Sequence, residues 1–140
     1  MSAGKYMPFD EQQAVDRGNG AVSYPLVMAR DGDQNFTAGI SSFEPGVNVP
    51  MHSHNTEEMV TVLEGAGECV IDGVTRPVKQ FDATLVPANV FHCFRNTGAS
   101  RMRILWVYGS RTVTRTFFDT GITVDHLSPS DIIGGTSPTR

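Results

Sequence analysis

Apolar side chains recur at every second position through much of this chain, the period of a strand with one face buried and the other wet. The alternation predicts strands over 36–43, 58–63, 68–72, 74–78, 83–86, 91–95, 103–108 and 112–118. Gly65-Ala66-Gly67 separates two of them with hairpin chemistry, and Asp72-Gly73 supplies a two-residue turn of the primed type. The 103–108 segment is the most apolar, and 112–118 is rich in β-branched and aromatic residues. Short strands at this turn spacing build a sandwich or a barrel. Helical signals are confined to the ends: Asp10 and Glu11 are placed to open one or two turns over 10–17, and Ser128-Pro129-Ser130-Asp131 to open another. Neither is long enough to organise a fold. Residues 134–140 have the small, polar composition of a flexible tail.

The same two-residue period gives the histidines a meaning. There are four in 140 residues, and two of them, His52 and His54, stand one residue apart. On a strand, residues i and i+2 face the same side, so two imidazoles are presented to one point. Glu58 keeps that parity if the strand continues regularly, and Glu57 then points outward. Two imidazoles and one carboxylate form the facial set that leaves open positions on Fe(II), and His92, from a distant strand, would complete a four-ligand pocket. A single strand histidine is more often an ordinary hydrogen-bonded residue; the constellation reverses that expectation. His126, beside Asp125 and a Ser-Pro turn, is expected at the solvent surface.

The spacing from Gly46 through His52, His54 and Glu58 to Gly65 resembles the first motif of the cupin superfamily throughout. A second cupin motif would run from position 81 to Asn96. Pro87, His92 and Asn96 sit where that motif has them, whereas Phe81 and Asn89 replace its usual glycines. Asn tolerates positive φ better than most residues, so Asn89 suits the turn before His92. The resemblance spans Gly46 to Asn96, about a third of the chain, and its first motif is the specific part.

That resemblance implies an all-β chain forming one cupin-type barrel, a double-stranded β-helix or jelly roll. The motif pair occurs once, which leaves a single-domain member with an N-terminal extension (1–35), a barrel core (36–118) and a C-terminal extension with its tail (119–140). Alternate residues of barrel strands face inward, so side chains from distant strands converge while apolar neighbours keep the cavity partly dry. Val60 and Val62 share the parity of Glu58, and Phe94 that of His92. These three are the expected pocket wall.

One divalent transition metal per chain is the expected cofactor: Fe(II) first, with Mn, Ni, Cu, Co or Zn compatible with the same ligands. Cupins include dioxygenases, isomerases, lyases, cyclases and non-catalytic binding domains, and fold does not choose among them. The leading reading is a dioxygenase, an oxidoreductase whose small organic acid, phenolic or diketone-type substrate chelates the metal. A non-redox isomerase, lyase or cyclase is the alternative, and a metal- or ligand-binding sensory barrel without turnover the third. For a proton-moving role the candidates are Tyr24, Tyr108 and Glu57.

Net charge of −4 and a pI near 5.4 argue against nucleic acid or an anionic membrane as partner. The N-terminus has no apolar core behind Lys5, so a cytoplasmic location is the default expectation. Cys69 and Cys93 are too few for a disulfide framework and read as buried thiols. Phe117 and Phe118 cannot both face one core on a regular strand, so one of them needs a second surface, which a homodimer would supply.

Overall fold

The computed structural model describes residues 3–134 and is built almost wholly of strands. In chain order these are β1 (Val15–Asp16), β2 (Ala21–Val27), β3 (Thr37–Phe43), β4 (His52–His54), β5 (Glu58–Glu64), β6 (Ala66–Ile71), β7 (Val74–Lys79), β8 (Ala83–Val86), β9 (His92–Arg95), β10 (Met102–Tyr108), β11 (Thr114–Phe117) and β12 (Thr123–Asp125). They pair antiparallel in two six-stranded sheets, ordered β1-β2-β3-β10-β5-β8 and β12-β11-β4-β9-β6-β7. This is the two-sheet jelly-roll arrangement expected from the motif spacing, and the alternation along β10 is complete, with Met102, Ile104, Trp106 and Tyr108 buried. Among the described residues no helix is long and apolar enough to cross a membrane.

The core lies between the sheets, where Phe43, Val60, Val62, Met102 and Trp106 are buried. Trp106 pairs with Gly39 across β10 and β3, and a Cβ on Gly39 would fall 2.2 Å from the indole. Only glycine lets the ring lie against that strand.

Asp72 and Gly73 join β6 to β7 with φ of 49° and 81°, the primed turn. Phe81 and Asn89 also take positive φ, 73° and 66°. The second motif thus keeps its backbone where it has lost its glycines. At Phe81 the conformation is held by its N–H donating to Val62 O at 2.7 Å and costs the residue about 1–2 kcal/mol.

Both sheets extend beyond 36–118: β1 and β2 lengthen one edge, and β12 the other sheet. The helical expectation for 10–17 is corrected to a single 3-10 turn at Phe9–Glu11 followed by β1, because Val15 and Asp16 pair with Ser23 and Val22 and Arg17 is drawn into the interior. Residues 128–131 form a turn, with Asp131 N–H bonded to Ser128 O, instead of a helix. Of the tail, 135–140 lie outside the described residues. Phe118 is 63% exposed while packing edge-on against Phe91, and its outer side is the apolar surface to which the homodimer expectation applies.

Candidate metal centre

Strand pairing gathers the site. In the second sheet β4 lies between β9 and β11, so His52 stands directly opposite His92, and His54 opposite Arg115. Glu58 opens β5 in the facing sheet and has Tyr108 as its cross-strand partner. His52, His54 and His92 are all buried, and their available ligand atoms lie within 4.8 Å of one another.

The hydrogen bonds settle the tautomers. His52 Nδ1 is 2.6 Å from Pro50 O, His54 Nδ1 3.0 Å from Thr114 O and His92 Nδ1 3.0 Å from Val90 O. A carbonyl oxygen only accepts, so each Nδ1 carries the hydrogen, and in the neutral ring Nε2 is left with a lone pair. This is the orientation that outer hydrogen bonds impose on metal-bound imidazoles. Glu58 Oε1 lies 2.9 Å from His92 Nε2, and Oε2 lies 4.0 Å from His54 Nε2. A carboxylate and a ring lone pair at 2.9 Å repel each other unless a proton or a cation sits between them. The donor set of three imidazoles and one carboxylate therefore fits a divalent transition ion.

Electrostatics keep these donors ready at neutral pH. Burial, with the Arg115 charge behind it, pushes His52 well below its ordinary value and His54 down to about 3. For Glu58 burial acts upward, but the nearby His92 and His54 imidazoles and Tyr108 outweigh it and bring the carboxyl to about 2. Both groups bind their protons more weakly folded than unfolded, where the ordinary values are 6.5 and 4.5, so unfolding takes up protons as the solution is acidified. Metal-free protein is expected to lose stability steadily as pH falls from about 6.5 towards 2, at up to about 1.4 kcal/mol per pH unit for each group. Urea midpoints measured across that range test this. A flat profile would contradict the buried, neutral state of His54.

Beside the imidazoles is a cavity of about 30 Å³. Phe94, Ile104 and Trp106 are its apolar wall, and Tyr108, Arg17 and Arg115 its polar one. The Tyr108 hydroxyl lies 3.3 Å from His54 Nε2 and also hydrogen-bonds to Glu58; with one hydrogen, it donates to one acceptor at a time. The two arginines share a single buried carboxylate: Arg17 Nη2 is 2.6 Å and Arg115 Nε 2.7 Å from the Asp131 oxygens. Arg17 continues to Ser23, Ser23 to Ser41, and the Trp106 indole N–H donates to Ser41. Burial and the Arg115 charge lower Arg17 to about 10.

Residues 39–108 match the cupin domain family. The chain is a cupin. Protein SchB of Streptomyces halstedii is 31% identical over 106 residues, covering 75% of this chain and 77% of its own. A 5-nitrosalicylic acid 1,2-dioxygenase of a Bradyrhizobium species is 35% identical over 60 residues, 43% of this chain and 29% of that enzyme. Among solved structures, the polyketide cyclase RemF of Streptomyces resistomycificus superposes with a TM-score of 0.69 at 21% identity, covering 92% of this chain and 89% of that one.

Not every residue singled out from the sequence reaches the cavity of this cupin. Tyr24 packs against Phe9 at 5.1 Å between ring centroids; on β2 its neighbours Ser23 and Pro25 take the buried parity, which turns Tyr24 outward. Glu57 is exposed, accepts a hydrogen bond from Thr56 and lies over Gly109, because it has the opposite parity to Glu58. Val60 and Val62 are core residues and do not line the cavity; their larger cross-strand partners Trp106 and Ile104 line it instead. Phe94 does line it.

His126 overturns the surface expectation. Its N–H is bonded to Val113 O, and its ring turns inward against Trp106 and Tyr108, at 4.9 Å from each, and 6.5 Å from His54. The legible signal was parity, since His126 follows Val124 by two residues at the end of β12. Arg115 was also missed, although Val113-x-Arg115 places it on an apolar parity. Arg17 and Asp131 carried no such signal.

Proposed function

We propose that this cupin is a metal-dependent dioxygenase acting on a small acidic or phenolic compound that chelates the metal through adjacent oxygens. The observation that carries this reading is the convergence of three imidazole Nε2 lone pairs whose Nδ1 hydrogens are all committed to main-chain carbonyls. His52, His54 and His92 would hold the ion, with Glu58 as the fourth ligand. A divalent ion there supplies a Lewis acid and, if it is iron, manganese, nickel or copper, a redox partner for dioxygen. Arg115 and Arg17 share one carboxylate, and among the described residues Glu58 carries the other negative charge facing the imidazoles, so the loaded site is positive and attracts an ionised phenol or acid. Phe94, Ile104 and Trp106 exclude bulk water. Tyr108 is placed to give a hydrogen bond to Glu58 or to a bound oxygen.

The test is metal analysis of protein purified without added metal, followed by oxygen-uptake assays with catechols, 1,3-diketones and keto acids. Iron, manganese, nickel or copper with oxygen uptake is the expected result. In that assay Glu58→Gln, which keeps size and removes charge, should lower kcat about 10–100-fold while KM changes much less. Equal kcat in the variant would remove Glu58 from the metal shell.

A second reading is favoured by Tyr108 and His126, which place a hydroxyl and an imidazole beside the cavity. They suit a non-redox cyclase or isomerase in which pocket groups move a proton, and the likeness to RemF agrees with it. Zinc in the purified protein, with turnover and no oxygen uptake, would put this reading first.

A further inference from the structure

A cavity of about 30 Å³ accepts one or two water-sized groups and no aromatic ring. A substrate that reaches the histidines through adjacent oxygens needs other space for its carbon skeleton. A second pocket, of about 230 Å³, is bounded by Met28, Thr37, Arg111, Thr112 and Val113. His126 lines both spaces. Its ring, packed on Trp106 and Tyr108, is the wall they have in common.

Two buried polar atoms of residues lining the outer pocket are without a hydrogen-bond partner among the described residues, His126 Nδ1 and Thr37 Oγ1. Buried polar groups are nearly always satisfied, and a ligand oxygen between the two spaces would satisfy these. The pocket's other features select the ligand. Met28 and Val113 offer apolar surface. Arg111 is fixed by the carbonyls of Ala29, Gly32 and Gln34 at 2.7–2.8 Å, and Asp125 lines the same pocket, so its charges balance and favour a neutral body. An apolar cavity of about 150 Å³ holds benzene, so this pocket has room for one substituted ring. The His126 backbone is anchored by its N–H bond to Val113 O, which holds the ring at the boundary of the two spaces.

We propose that the outer pocket is the subsite for the ring of a single-ring phenol or cyclic enol, and that His126 stands at the passage to the imidazoles and hydrogen-bonds an oxygen borne by that ring. The proposal rests on the reading of the three histidines as a metal centre, and the test separates the two.

4-Nitrocatechol is titrated into metal-free and zinc-loaded protein and followed by amide NMR. Expected are shifts at Thr37, Val113 and His126 in both forms, with affinity at least tenfold tighter when zinc is present. Thr112→Phe, at an exposed position, should obstruct the pocket and weaken binding at least tenfold in both forms with zinc content unchanged; Val113→Phe, from the buried side, should do the same. Shifts confined to His52, His54 and His92, no shifts at all, or undiminished affinity in folded Thr112→Phe would overturn the subsite. Outer-pocket shifts that zinc does not tighten would support the subsite and count against the metal-centre reading.

Discussion

His54→Ala is expected to abolish metal retention while leaving the barrel folded. Loss of a hydrogen-bond partner behind a ligand typically costs 10–100-fold in metal affinity, and removal of a ligand should exceed that. The variant also breaks the Nδ1 bond to Thr114 O and takes an acceptor from Tyr108, which keeps Glu58. In the metal-free state this should cost only about 1–3 kcal/mol. The two effects are separable by thermal melts. Added metal raises Tm of the parent chain by binding the folded state preferentially, and in the variant that rise should vanish. Metal content equal to the parent's, measured after gel filtration, would sink the three-histidine centre.

Asp131→Ala is expected to give the largest loss of stability among single substitutions in this chain. The Asp131 side chain is fully buried, and its oxygens accept from Arg17, Arg115 and the Leu127 N–H. Truncation leaves two guanidiniums in the interior without their carboxylate, and breaking a buried ion pair in this way costs about 3–5 kcal/mol. It also releases the segment after β12, which Asp131 ties to the barrel, and with it the position of His126. Asp131→Asn keeps the size and one acceptor oxygen and should lose less. Urea unfolding measures both. A loss below about 1 kcal/mol in the alanine variant would mean that the C-terminal segment is not docked through this network.

The cavity wall shows where parity stops being informative. Val60 and Val62 have the parity of Glu58 and are buried, yet Trp106 and Ile104 reach the cavity, because which of two cross-strand partners projects further depends on side-chain size and on the register of β5 with β10. The β-structure at the ends was equally hard to see. β2 has the period of a strand but includes Pro25, and β12 is three residues long, so each is stabilised by the strand beside it more than by its own pattern.

Local chemistry determined most strands between 36 and 118, the primed turn at Asp72-Gly73 and the shared face of His52 and His54, since a two-residue period and the φ preferences of Gly and Asn act within a few residues of chain. It also determined the spacing that marks a cupin. Glu58 instead meets His52 and His54 from the facing sheet, because the chain turns at 55–57 and the strand expected to run on from His54 ends there. Tertiary structure alone decided that Arg17, Arg115 and Asp131 meet, 114 and 16 residues apart in sequence. Burial of charge is favourable only once a partner is in place, and the partner's position follows from how β11, β12 and the segment after them fold over the end of the barrel. No period in the sequence carries that information.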